Sequence, residues 1–143
     1  MEDFFTQPEI RWSDLDPNFH LRHSVYYDFG AYTRIAFLTR HGITPQVMNE
    51  NNIGPILFRE ECVFKKELRY GDQVKIDLKL ARSSHNNSRW TMMHDIWKNE
   101  TLAAIITIDG AWMDTVKRKL VTPPEIFQRA FELIPKTENF IST

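Results

Sequence analysis

The chain has a single cysteine, Cys62, in 143 residues. That excludes an internal disulfide framework and a metal site built on several thiolates. No uninterrupted apolar run approaches the length of a membrane span. The first residues, Met-Glu-Asp-Phe-Phe, are acidic and lack the basic-plus-apolar pattern of a signal segment. Net charge is −1, so no global field draws the protein to nucleic acid or to an anionic membrane. Repeats, linkers and low-complexity segments are missing as well. The expectation is one domain over 1–143, soluble and cytoplasmic, with no nucleic-acid or membrane partner.

What is present is an apolar fraction of 42%, with ten Phe, four Trp and four Tyr. That is enough to build one sizeable core. A short strand is expected at Pro8–Ser13. Ser24 has the character of an N-cap. Val25 to His41 then reads as a helix closed by Gly42 at the C′ position. Apolar residues cover most of its circumference, which predicts burial on several sides. Gly30 and Ala31 permit close approach to a sheet. Thr44–Asn51 adds a helical turn. Beyond Pro55 the period changes to two: Ile56, Phe58, Cys62 and Phe64 share one face, and Val74, Ile76, Leu78 and Leu80 alternate with polar residues. Tyr70-Gly71-Asp72 makes the turn before that strand. Trp90, Met92, His94 and Ile96 form the next face. Leu102–Met113 is apolar on both faces, which predicts a central strand. Pro123-Pro124 opens a last amphipathic helix. Short turns between consecutive strands imply antiparallel pairing. One long helix wrapped by an antiparallel sheet is an α+β architecture.

The densest chemistry lies between Arg11 and Tyr26, where Asp14, Asp16, His20 and His23 stand within ten positions. They fall at the start of the long helix. The first turn of a helix has amides without internal partners and a favourable dipole for negative charge. A carboxylate beside such a helix end is sufficient machinery to hydrolyse an activated acyl group. Asp16-Pro17-Asn18 is also a good turn sequence. Asp14 reads as loop or strand-end structure. No third ligand stands at metal spacing, so the pattern points away from a His/Asp metal site.

In element order and in Asp14–Tyr26 the chain resembles the hotdog-fold acyl-CoA thioesterases, in the branch named for 4-hydroxybenzoyl-CoA thioesterase. Tyr70-Gly71-Asp72 and Ser88-Arg89-Trp90 add to the likeness. The resemblance implies a long central helix wrapped by a curved antiparallel sheet. It also implies acyl-CoA hydrolysis in a homodimer or homotetramer, with coenzyme A as part of the substrate and no separate cofactor. Asp16 matches the carboxylate that activates water or attacks the carbonyl. His20 and His23 match histidines found four and seven places after that Asp. The backbone N–H of His23 matches the oxyanion donor, and Tyr26 the helix tyrosine. Relatives often have Gly where Phe19 stands and Asn-Asn where Arg22-His23 stands. The segment Arg82–Arg89, with Arg82, Ser88 and Arg89, resembles where relatives bind the nucleotide end; Lys98 is a further cation.

Two other readings stay open. Hotdog hydratases and dehydratases have His five places after Asp, whereas here the spacing from Asp16 to His20 is four. A non-catalytic acyl-thioester binding protein on the same fold is the third reading. Outside the motif, strict alternation puts Glu60 on the face of Phe58 and Cys62, and a bulge near Arg59–Glu61 would turn it outward. Cys62 reads as a small core residue.

Overall fold

The computed structural model describes residues 4–143. A two-residue strand β1 (Phe5–Thr6) leads into a 3₁₀ turn at Trp12–Asp14. Helices α1 (His23–Arg40) and α2 (Pro45–Glu50) follow. Then come β2 (Ile53–Phe64), β3 (Val74–Asp77), β4 (Lys79–Ser83), β5 (Arg89–Lys98) and β6 (Thr101–Asp114). The last elements are β7 (Lys119–Leu120), α3 (Glu125–Glu132) and β8 (Lys136–Ser142).

All eight strands form one sheet. β6 lies between β2 and β5, as its two apolar faces predict. Both β3 and β4 pair with β5, so the expected single strand is broken at Leu78 into two consecutive segments. β1 is antiparallel to β3. β2 pairs with β6 across the intervening strands and not with its successor β3. The pairing is antiparallel except at one place: β8 runs parallel to β4. The result is the hotdog architecture, a long helix held in a curved sheet.

The expected strand at Pro8–Ser13 is not formed. Asp14 folds that segment into the 3₁₀ turn, because its carboxylate accepts from Arg11 N at 2.9 Å and Arg11 Nη2 at 2.8 Å. Helix α1 buries Val25, Tyr26, Phe29, Gly30, Thr33, Phe37 and Leu38. That is one stripe and not the whole circumference: Tyr32 is 54% exposed. Gly30 meets the sheet closely, and a Cβ there would lie 3.2 Å from His94 Cδ2. α1 ends as expected at a C′ Gly42, with φ of 83°. Thr44 caps α2 through an Oγ1 that accepts from Val47 N at 3.1 Å. α3 packs Phe127 and Phe131 on Trp112, with ring centroids 5.0 Å and 5.8 Å away.

β2 contains a bulge, with Phe58 the extra residue between the Leu57 and Arg59 pairings. The bulge lies just before the place considered from sequence. It leaves Phe58 outward, 56% exposed. Glu60 is partly exposed, and its Oε2 lies 3.9 Å from Arg34 Nη2. No described helix is long and apolar enough to cross a membrane.

Candidate active site

Residues 16–20 form a closed turn. The backbone bridge Leu15↔Leu21 pinches its base, and Asp16 N donates to His20 O at 2.8 Å. Phe19 N donates to Asp16 O at 3.0 Å. The side chain of Asp16 completes the turn: Oδ1 accepts from Asn18 N at 2.8 Å and from His20 N at 3.1 Å. Oδ2 has no hydrogen-bond partner among the described residues. One carboxylate oxygen is therefore structural, and the other is free of protein hydrogen bonds among the described residues.

Phe19 adopts φ of 64°. This is the left-handed region, where Gly is at ease and a Cβ is crowded. The loop keeps the glycine-type conformation despite the Phe. Relative to Phe19→Ala, Phe19→Gly should be more stable by about 1 kcal/mol, because only Gly escapes the Cβ penalty. Equal chemical-denaturation midpoints for the two variants would show that the turn relaxes out of the left-handed region.

Helix α1 begins at His23, two residues before the sequence reading, and Ser24 is not its cap. The N-cap position belongs to Arg22, which makes no side-chain capping hydrogen bond. Tertiary bonds decide the start: Arg22 N donates to Asp14 O at 2.7 Å and Leu21 N to Leu68 O at 2.7 Å. Ser24 Oγ instead accepts from Arg22 Nε at 3.0 Å. The amides of His23 and Ser24 thus sit in an uncapped first turn, where an α-helix offers them no acceptor.

Asp16, His20, His23 and Tyr26 line one cavity of about 300 Å³. Phe64, Lys65, Lys66 and Glu67, from the end of β2, form its other wall. Tyr26 is buried, and its ring meets Phe64 edge-on at 4.9 Å. Burial pushes the Tyr26 phenol up to about 12, so it remains a neutral donor at physiological pH. His20 Nε2 lies 2.7 Å from Glu67 Oε2, and Glu67 Oε1 accepts from Arg69 Nη2 at 2.7 Å. Arg69 holds the Glu67 carboxyl below the usual range. The imidazole carries its Nε2 proton toward Glu67. The 3.3 Å approach of Arg69 Nη2 to the same nitrogen is then a charge contact, because guanidinium cannot accept.

Glu67, Lys65 and Lys66 escaped the sequence reading. They stand more than forty positions from Asp16, and the link is a backbone bridge between His20 and Arg69. The one local signal was the abrupt switch from Phe64 to a Lys-Lys-Glu run at a strand end. Asp14 is buried, with its carboxylate engaged by Arg11, which holds it below the usual range. Cys62 is half-buried, and burial pushes its thiol up to about 11, so it stays protonated and unreactive at neutral pH.

The residues singled out for a nucleotide lie elsewhere. Arg82 and Arg89 line a second concavity of about 290 Å³ that shares no residue with the first. Arg89 sits over the Phe58 ring, 5.7 Å from its centroid. Ser88 faces Ser84 Oγ at 3.3 Å, within a hairpin whose polar groups largely satisfy one another. Lys98 ends β5 opposite Arg89 and pairs with Asp72 at 3.2 Å. Within one chain, the Asp16 group and the Arg82–Arg89 group are not brought together.

Residues 10–131 match the family described as the thioesterase-like superfamily. No curated protein matches the chain. Among solved structures, a hypothetical protein from Staphylococcus aureus in complex with CoA superposes with a TM-score of 0.86 at 17% identity, covering 95% of this chain and 88% of that one. A 1,4-dihydroxy-2-naphthoyl-CoA thioesterase from Synechocystis gives 0.82 at 16% identity, covering 92% and 97%. A thioesterase complexed with coenzyme A and Zn from Thermus thermophilus gives 0.74 at 21% identity, covering 90% of each chain.

Proposed function

The chain belongs to the thioesterase-like superfamily, and from that premise we propose that it hydrolyses acyl-CoA thioesters at the Asp16 cavity. The observation that carries this reading is the division of labour at Asp16. Its Oδ1 is held by two backbone amides, next to a helix start whose amides are uncapped. Oδ2 takes a proton from water as hydroxide adds to the thioester carbonyl carbon. The oxyanion that develops is held by the N–H groups of His23 and Ser24 and by the helix dipole. Collapse of the intermediate breaks the carbon–sulfur bond and releases CoA as thiolate. A thiol of ordinary pKa, about 8.5, leaves without a strong acid behind it. His20, fixed by Glu67, and Tyr26, a neutral donor, orient the reacting group.

The test is thiol release from a panel of aromatic, short-chain and long-chain acyl-CoAs, with an enoyl-CoA control. At least one saturated or aromatic thioester should release CoA. Hydration of the enoyl-CoA without thiol release would transfer the protein to the hydratase reading, and no reaction with any member would favour a binding protein.

Because the oxyanion donor is main chain, His23→Ala should retain more activity than Asp16→Asn. His23→Pro removes the N–H and should cost roughly 10²- to 10³-fold in kcat, the value of one oxyanion donor. An Ala variant as inactive as the Pro variant would move the role to the imidazole.

The same reading includes a homodimer, alone or paired into a tetramer. β2 bonds only to β6 and leaves its other edge open. Leu57, Phe58, Val63 and Phe64 on this strand are exposed. A long apolar edge of this kind is a template for pairing with a second chain. A second subunit would supply Arg82, Ser88 and Arg89 for the phosphates of coenzyme A. Sedimentation should give a dimer or larger species at micromolar concentration; a stable monomer would remove the interface.

A further inference from the structure

A third, more enclosed cavity of about 310 Å³ lies between α1 and the inner face of the sheet. Its walls are Leu57, Leu78, Met92, Trp90 and Trp112, with Arg34 the one charged member among them. None of its lining residues belongs to the Asp16 cavity. Arg34 stands eleven positions beyond His23 on α1, about 16 Å along the helix axis.

The guanidinium in this wall lacks a hydrogen-bonded anion. The Arg34 side chain is only 13% exposed, and its nearest carboxylate, Glu60, lies at 3.9 Å, beyond hydrogen-bond length. Its Nη1 sits 3.0 Å from His94 Nε2. His94 is fully buried, donates from Nδ1 to Asp77 O at 2.7 Å, and is held neutral by burial. His94 therefore accepts a hydrogen bond from Arg34 and returns no charge. Buried cations are ordinarily paired with an anion that hydrogen-bonds them. The indole N–H groups of Trp90 and Trp112 are buried too and have no acceptor among the described residues. Buried donors of this kind are normally satisfied.

An apolar chamber with one under-compensated cation in its wall is complementary to an apolar body carrying one carboxylate. The volume is about twice that of a cavity known to hold benzene, which suits roughly ten carbons. We propose that this cavity is a second ligand site, for a free monocarboxylic acid of medium chain or aromatic ring, with its carboxylate on Arg34. This is the chemical class of the acid released by thioester hydrolysis. The site does not depend on that reaction, because binding is measured without it.

Decanoate, decanol and methyl decanoate, titrated calorimetrically into the full chain, separate charge from apolar burial. Decanoate should bind at least about tenfold tighter than the two neutral probes. Arg34→Gln should reduce decanoate to the affinity of decanol and leave decanol unchanged. Met48→Trp, which adds bulk from α2 into this chamber, should weaken all three probes while hydrolysis of a short acyl-CoA persists. Equal binding of decanoate and decanol by the wild type would overturn the proposal. So would decanoate binding that survives both substitutions, or no binding at millimolar probe.

Discussion

Replacing Asp16 by Asn should lower kcat by about 10²- to 10⁴-fold, the usual worth of a positioned general base, with no change in thermal midpoint. The structure explains why the two effects separate. The fold uses Oδ1, which accepts from Asn18 N and His20 N, and Asn retains that oxygen. In the mechanism proposed above the base is Oδ2, which Asn replaces with an amide nitrogen that cannot take a proton. Asp14→Asn should behave in the opposite way. Its carboxylate is buried and bound to Arg11 through both oxygens, so its loss acts on the 3₁₀ turn and lowers stability first. Thiol-release rates and melting curves for the two variants check the assignment. An active Asp16→Asn beside a well-folded but inactive Asp14→Asn would exchange their roles.

Gly110→Ala should be the most destabilising conservative change in the sheet. A Cβ at Gly110 would lie 2.4 Å from Trp90 Cη2 and 2.6 Å from Ile56 O. Trp90 is 4% exposed and packs against Trp112 and Phe131, so it has little room to withdraw. The carbonyl belongs to β2 and cannot rotate away without breaking the β2–β6 ladder next to the bulge. Overpacking costs about 1–3 kcal/mol where side chains can adjust, and the backbone contact places this site at the upper end or above. The melting temperature should fall by roughly 10 °C. A drop of only a degree or two would mean that the bulge at Phe58 absorbs the strain.

The elements that sequence periodicity reveals are those stabilised by their own amphipathic pattern. α3 and β5 are of this kind, whereas α1 and β6 are legible as long apolar segments with clear ends. The misses come from non-local bonds. β2 skips its neighbour and pairs with β6 because the inner order of the sheet is decided by closure around α1. β8 has no strict alternation, and its partner β4 lies nearly sixty residues away. The start of α1 shifts from Val25 to His23 because Asp14 O and Leu68 O anchor the preceding amides. Pro8–Ser13 has a strand-like composition, yet the Arg11–Asp14 ion pair folds its end into a 3₁₀ turn. At the site, Asp16, His20, His23 and Tyr26 were legible together because they share one short segment. Lys65, Lys66 and Glu67 were not, since only the His20↔Arg69 bridge connects the two stretches. The left-handed conformation of Phe19 was not legible, because a residue with a Cβ ordinarily avoids that region.

The most direct measurement is a crystal structure with a non-hydrolysable acyl-CoA analogue whose thioester is replaced by a ketone. The proposed mechanism puts the carbonyl oxygen at about 3 Å from the amide of His23 or Ser24, with Asp16 Oδ2 about 3–3.5 Å from the carbonyl carbon or from a water beside it. A carbonyl held by the His20 imidazole, away from every amide of the first turn of α1, would contradict it.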